Sequence, residues 1–227
     1  VRKLLLFDVD GTLVLGGPAK GAFQTALLET FGTAGPIETH NFAGKTDPQI
    51  ARELLTASGI GAADIESGFP RLWDRYLHHL GQRLSRNPMN VLPGVGELLA
   101  ALSGHLDVAM GLLTGNIVRG AELKLRSAGL YDHFRIGSYG SDSEIRNHLA
   151  PIALQRATET WQVAFDPQHV WVVGDTPADI ECGQAGGTRT LGVATGRYSA
   201  EILAAAGADT VVHDLSDTAA AVAILTA

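Results

Sequence analysis

Short apolar runs that stop abruptly at an acidic or turn residue restrict the fold of this chain more than any other feature. Leu4–Phe7 runs straight into Asp-Val-Asp-Gly. The same grammar returns at 107–113, closed by Thr-Gly-Asn, and at 169–173, closed by Gly-Asp-Thr-Pro, with weaker copies at 188–193 and 210–212. Runs of this length bounded by turn signals read as strands buried on both faces. Between them, helical spacing of apolar residues fills 94–102, 118–128, 149–160, 178–185 and 200–206, and the Ala-rich tail from Ala204 predicts a further helix with a small-residue face. Strands alternating with helices of this size predict an α/β fold, a parallel sheet with helices on both faces. Such sheets bind ligands at the C-terminal ends of their strands.

Residues 16–86 break the rhythm, with helical patterns near 20–31, 48–58 and 68–86 and no clear buried strand between them. Pro88, Pro93 and Gly94 mark the return to alternation. The stretch is expected to be a helical insertion after the first strand, carried by a core of residues 1–15 and 87–227; a chain of 227 residues can bury a core of that size and still support a small appendage. Lys and Arg number 17 against 24 Asp and Glu, and no basic stripe is present, which argues against nucleic acid as a partner. The single cysteine, Cys182, allows neither an internal disulfide nor a Cys-rich metal site and is expected to be buried. No apolar stretch reaches the ~20 residues of a membrane span, and the run at the start is broken by Asp8 and Asp10, unlike a signal peptide. A cytoplasmic monomer or homodimer with no membrane partner is expected.

Three strand ends carry the residues of chemical interest. In Asp8-Val9-Asp10-Gly11-Thr12, two carboxylates two residues apart can converge on one point, where their repulsion demands a cation. Acidic, oxygen-rich clusters suit Mg²⁺, which also binds phosphate oxygens. Thr114-Gly115-Asn116 offers a hydroxyl and backbone amides to a phosphoryl group. At the third end Asp175 follows the buried run directly, and Asp179 lies one helical turn on. Each piece alone is an ordinary cap or turn; three at the ligand-binding edge of one sheet form a site.

The sequence Phe7-Asp8-Val9-Asp10-Gly11-Thr12-Leu13, with Leu113-Thr114-Gly115 and Gly174-Asp175-Thr176-Pro177-Ala178-Asp179, resembles the haloacid dehalogenase superfamily, and most of all its branch of phosphoglycolate phosphatases and β-phosphoglucomutases. The resemblance spans essentially the whole chain and implies a Rossmann-like core, with residues 16–86 as a helical cap domain. It further implies that Asp8 attacks phosphorus to form an aspartyl-phosphate, and that Asp10 protonates the departing oxygen and later takes a proton from water. Asp8, the backbone carbonyl of Asp10, and Asp175 would hold Mg²⁺, with Asp179 supporting them. Thr114, Gly115 and Asn116 would bind the phosphoryl oxygens. Dehalogenases lack the second Asp because halide leaves without a proton, so Asp10 points to phosphate esters. The expected substrate is a small phosphorylated metabolite, with a phosphomutase or a non-catalytic phosphate- or partner-binding relative as alternatives.

The family's usual lysine between the second and third strand ends is missing, since no Lys follows Lys124. Arg146 is the expected replacement, being able to bridge carboxylate and phosphate, with Arg135 the weaker candidate. Lys124, inside a helical pattern, is expected to be a solvated surface residue. Lys45 and Thr46, in the Gly44-Lys45-Thr46 loop, are candidates for contacting the organic part of the substrate, against a plain helix-capping role. A mutase would prefer an arginine in that loop, and none is present.

Overall fold

The computed structural model describes all residues from Val1 to Ala227. Leu4, Leu5, Leu6 and Phe7 have no solvent exposure, which is what a central strand requires and what their unbroken apolar run predicts. They belong to β1 (Lys3–Phe7), after which the chain makes a two-residue strand β2 (Val14–Leu15). Three helices follow: α1 (Ala19–Phe31), α2 (Asp47–Ala57) and α3 (Ala62–Leu84). The chain returns through β3 (Asn90–Val91) and then alternates: α4 (Val95–Ser103), β4 (Val108–Thr114), α5 (Val118–Ser127) and β5 (Ile136–Tyr139). The last part comprises α6 (Leu149–Trp161), β6 (Val170–Gly174), α7 (Pro177–Ala185), β7 (Arg189–Val193), α8 (Ala200–Ala205), β8 (Thr210–Val212) and α9 (Thr218–Leu225).

The main sheet has six strands in the order β5-β4-β1-β6-β7-β8, and every pairing in it is parallel. β1 therefore has β4 on one side and β6 on the other. The chain builds outward in one direction to β5, then crosses back to build in the other. That reversal opens a crevice beyond the C-terminal ends of β1, β4 and β6, the place where open parallel sheets bind ligands. The three acidic or hydroxyl-bearing strand ends face it for this reason.

The five expected strands are observed to within a residue. The sequence reading missed β5, because Ile136-Gly137-Ser138-Tyr139 is short and carries no apolar run. α3 begins six residues before its expected start, with Pro70 inside it.

Between β1 and β4, α1 and α3 pack on one another, and β2 pairs antiparallel with β3, Val14 opposite Val91, which brings the two ends of the helical stretch together. One apolar cluster runs through both parts of the molecule: Phe23, Leu27, Leu54 and Leu72 of the helices join Phe7, Leu112 and Val173 of the sheet. A second cluster on the opposite face packs α6 against Leu4, Leu6 and Val172 and includes Cys182, buried as expected. No helix is long and apolar enough to cross a membrane.

Candidate active site

Asp8 and Asp10 follow β1 directly, so the rigid central strand fixes where they point. Gly11 then adopts φ +94°, and a Cβ there would collide with the Asp175 carboxylate, so only glycine lets this turn close over the neighbouring strand end. Asp175 follows β6 and accepts a hydrogen bond from the Thr12 hydroxyl at 3.2 Å. Asp179 sits in the first turn of α7, where a reciprocal cap fixes it: Asp179 Oδ2 accepts from the Thr176 backbone N–H at 3.0 Å and its hydroxyl at 2.7 Å.

These elements bring oxygens of Asp8, Asp175 and Asp179 within 4.8 Å of one another, all three side chains buried. Burial, and then the charge of Asp179, pushes Asp8 well above the ordinary carboxylate range; burial, and then the charge of Asp8, does the same to Asp175. Arg146 is the cation that reaches the cluster. It lies in a short 3₁₀ turn ahead of α6 and is itself buried. Its Nη2 donates to Asp8 Oδ1 at 3.1 Å and also forms a short ion pair with Asp179. Of the two arginines considered in place of the missing lysine, Arg146 reaches the carboxylate cluster, whereas the Arg135 guanidinium lies 6.0 Å from the Trp161 ring centre. Three carboxylates against one guanidinium leave an excess of negative charge in a low-dielectric setting, and an all-oxygen donor set of this kind fits a divalent cation.

The second strand end behaves as a cradle. Thr114 and Asn116 are buried and Gly115 lies between them; all three line a cavity of about 490 Å³ with Asp8, Asp10 and Arg146. A Cβ on Gly115 would run into the Lys45 carbonyl. The start of α2 docks on this loop, with the Asp47 backbone N–H donating to Gly115 O at 2.7 Å and Asp47 Oδ2 accepting from Ile117 N–H at 2.8 Å.

Two expectations are corrected. Lys124 is not a solvated surface residue but 4% exposed, and it donates to both oxygens of Asp10, at 2.9 and 2.7 Å, and to Asn116 Oδ1 at 2.6 Å. The clue was its position. Ile117, Ala121, Lys124 and Leu125 fall on one stripe of helical spacing, and Lys124 occupies the stripe rather than its polar flank. Thr46 is the second: its hydroxyl caps α2, accepting from Gln49 N–H at 3.3 Å and donating to Glu144 O at 2.9 Å, and it lies outside the cavity lining. Lys45 does line the cavity, paired with Glu53.

Residues 2–187 match the family model of the hydrolases described as haloacid dehalogenase-like, and the chain belongs to that family. Among curated proteins it is 28% identical to a phosphoglycolate phosphatase of Synechococcus elongatus over 97% of both chains. It is 27% identical to a phosphoglycolate phosphatase of Photorhabdus laumondii, covering 95% of this chain and 90% of that one. Among solved structures, a hydrolase from Pseudomonas syringae superposes with a TM-score of 0.72 at 19% identity and 99% coverage of each, a likeness of fold.

Proposed function

We propose that this hydrolase cleaves a small phosphomonoester through an aspartyl-phosphate on Asp8, with phosphoglycolate the first candidate because full-length relatives bear that name. The observation that carries the reading is the convergence of Asp8, Asp175 and Arg146, backed by the buried Asp179, beside the Thr114–Asn116 cradle on one cavity at a strand switch point.

The roles follow from chemistry. A carboxylate needs no base to act as a nucleophile once the charge repelling it from an anionic phosphate is offset. Asp8, Asp175 and the backbone carbonyl of Asp10 would hold Mg²⁺, which when bound neutralises phosphoryl oxygens and the carboxylates around them. Arg146 keeps Asp8 oriented while its partner Asp179 is locked by Thr176, so the nucleophile has few rotamers open to it. Thr114 and the amides of the loop after it orient the phosphoryl group, since phosphoryl transfer depends on positioning and charge neutralisation. Asp10, whose side chain is 43% exposed toward the cavity, is placed to give a proton to the leaving oxygen and to take one from the attacking water. Helices α1–α3 act as a cap: Lys20, Phe23, Phe42 and Lys45 line the far wall and select the organic part of the ester.

The test is phosphate release from a panel containing phosphoglycolate, other small phosphomonoesters and p-nitrophenyl phosphate, with Mg²⁺ and again with a chelator. Release that requires the metal is expected. No release from any ester at high enzyme concentration would overturn the reading.

A further inference from the structure

Lys124 is the group in this site that the proposed chemistry does not use. An ammonium inside a protein is costly unless it is fully paired, and a Leu or Met would fill its place on the α5 stripe without that penalty. Its side chain is only 6% exposed, and its three protons have three acceptors: both Asp10 oxygens and Asn116 Oδ1. Asn116 closes the triangle by donating through Nδ2 to Asp10 Oδ2 at 2.7 Å and to Thr114 Oγ1 at 2.8 Å. The buried end of the arrangement is the lysine, and the end open to the cavity is Asp10.

We infer that Lys124 is a positioning residue, which together with Asn116 holds the Asp10 carboxyl against the substrate's leaving oxygen. The inference rests on the phosphatase reading above. Asp10 follows a strand and precedes a glycine at positive φ, so its backbone alone leaves the side chain free to rotate into the cavity. In the ionised state the contact of Lys124 with both oxygens removes that freedom; in the protonated state Oδ2 stays on Lys124 and Asn116 while Oδ1 carries the proton that passes to the leaving oxygen. Asn116 is shared between this triangle and the phosphoryl cradle, so the proton-transfer group and the phosphate-binding loop are set in one register. No other cation is hydrogen-bonded to Asp10: Arg146 is committed to Asp8 and Asp179.

Leaving groups separate this role from a merely structural one. p-Nitrophenolate departs without a proton, whereas an alkoxide needs one from Asp10. Lys124→Met is expected to lower kcat/KM about 100-fold for an alkyl phosphate such as phosphoglycolate or glycerol phosphate, and less than about 5-fold for p-nitrophenyl phosphate. Asp10→Asn should show the same split, and the double variant should be no worse than Asp10→Asn alone. Lys124→Arg should recover part of the alkyl-ester rate. Equal losses on both substrates, no loss on either, or a double variant that multiplies the single losses would overturn the assignment. If thermal melting shows that Lys124→Met does not fold, Lys124→Gln is measured on the same pair of esters. A wild-type protein with no metal-dependent phosphate release breaks the phosphatase reading itself; one that releases phosphate while its lysine variants lose both substrates equally breaks only this inference.

Discussion

Two buried cations pair with the two aspartates that follow β1, yet they serve opposite kinds of neighbourhood. Arg146 faces Asp8 and Asp179, with Asp175 alongside, so three carboxylates share one positive charge in the deepest part of the crevice. Lys124 is hydrogen-bonded to one carboxylate, Asp10, whose side chain is 43% exposed, and its remaining proton goes to a neutral amide. The inner group carries surplus negative charge and the outer one is balanced at its contacts. The inner group is therefore the one whose donors fit a divalent ion, as the proposed function requires, while the outer group has its charge paired. Carboxylates and a buried cation give a cluster with surplus negative charge in one place and a paired contact in the other, and the difference is the ratio of acids to bases.

The sharpest way to break this contrast is Asp8→Asn. It removes one negative charge from the crowded side and, with it, the proposed nucleophile. Turnover should fall by at least ~10⁴-fold, while the unfolding temperature without metal should not drop, because repulsion inside the cluster is relieved. Residual activity well above that level would remove Asp8 from its assigned role.

Arg146→Ala goes the other way and leaves three buried acids without a counter-charge. Activity should fall about 10²–10³-fold, the range for loss of a preorganised charge contact. Stability should fall by about 3–5 kcal/mol, as when one partner of a buried ion pair is deleted. Denaturant melts and initial rates check both. A near-wild-type rate would mean that the positive charge comes from elsewhere.

The smallest effect is expected on the outer side, at Asp47. Burial pushes its carboxyl up to about 6, against the partial compensation of Lys124. The folded protein keeps this proton through a window, from about pH 4 to about pH 6, in which the unfolded chain has already lost it. The stabilisation is thus complete below that window and is lost as pH rises through it. Asp47→Asn, which keeps an acceptor for the Ile117 amide, should flatten the fall in unfolding temperature across these pH values by roughly 5 °C. An unchanged slope would show that Asp47 does not titrate there.

The strands and their order of chemistry were legible because each apolar run in a parallel sheet is continuous and each ends at a polar residue. Asp8, Asp175 and Arg146 could be read for the same reason: their neighbours announce the strand ends or the missing lysine. Lys124 and β5 were hidden for opposite reasons. The lysine breaks an apolar stripe with a charge that only tertiary pairing makes tolerable, and pairing with Asp10, 114 residues away, leaves no local trace. β5 lacks a stripe altogether, since its edge position asks little of Gly137 and Ser138 beyond fitting beside β4. Thr46 misled because a glycine-lysine-threonine run looks alike whether its hydroxyl faces a ligand or caps a helix.

The apolar cluster shared by the helical stretch and the sheet has a consequence for how such a protein can diversify. Its upper storey cannot be exchanged as a sealed module, because Phe23, Leu27 and Leu54 are mortared into the same interior as Phe7 and Leu112. New ligand preferences are open instead to positions such as Leu15 and Lys20, which border the hollow from solvated ground and carry little of the weight beneath.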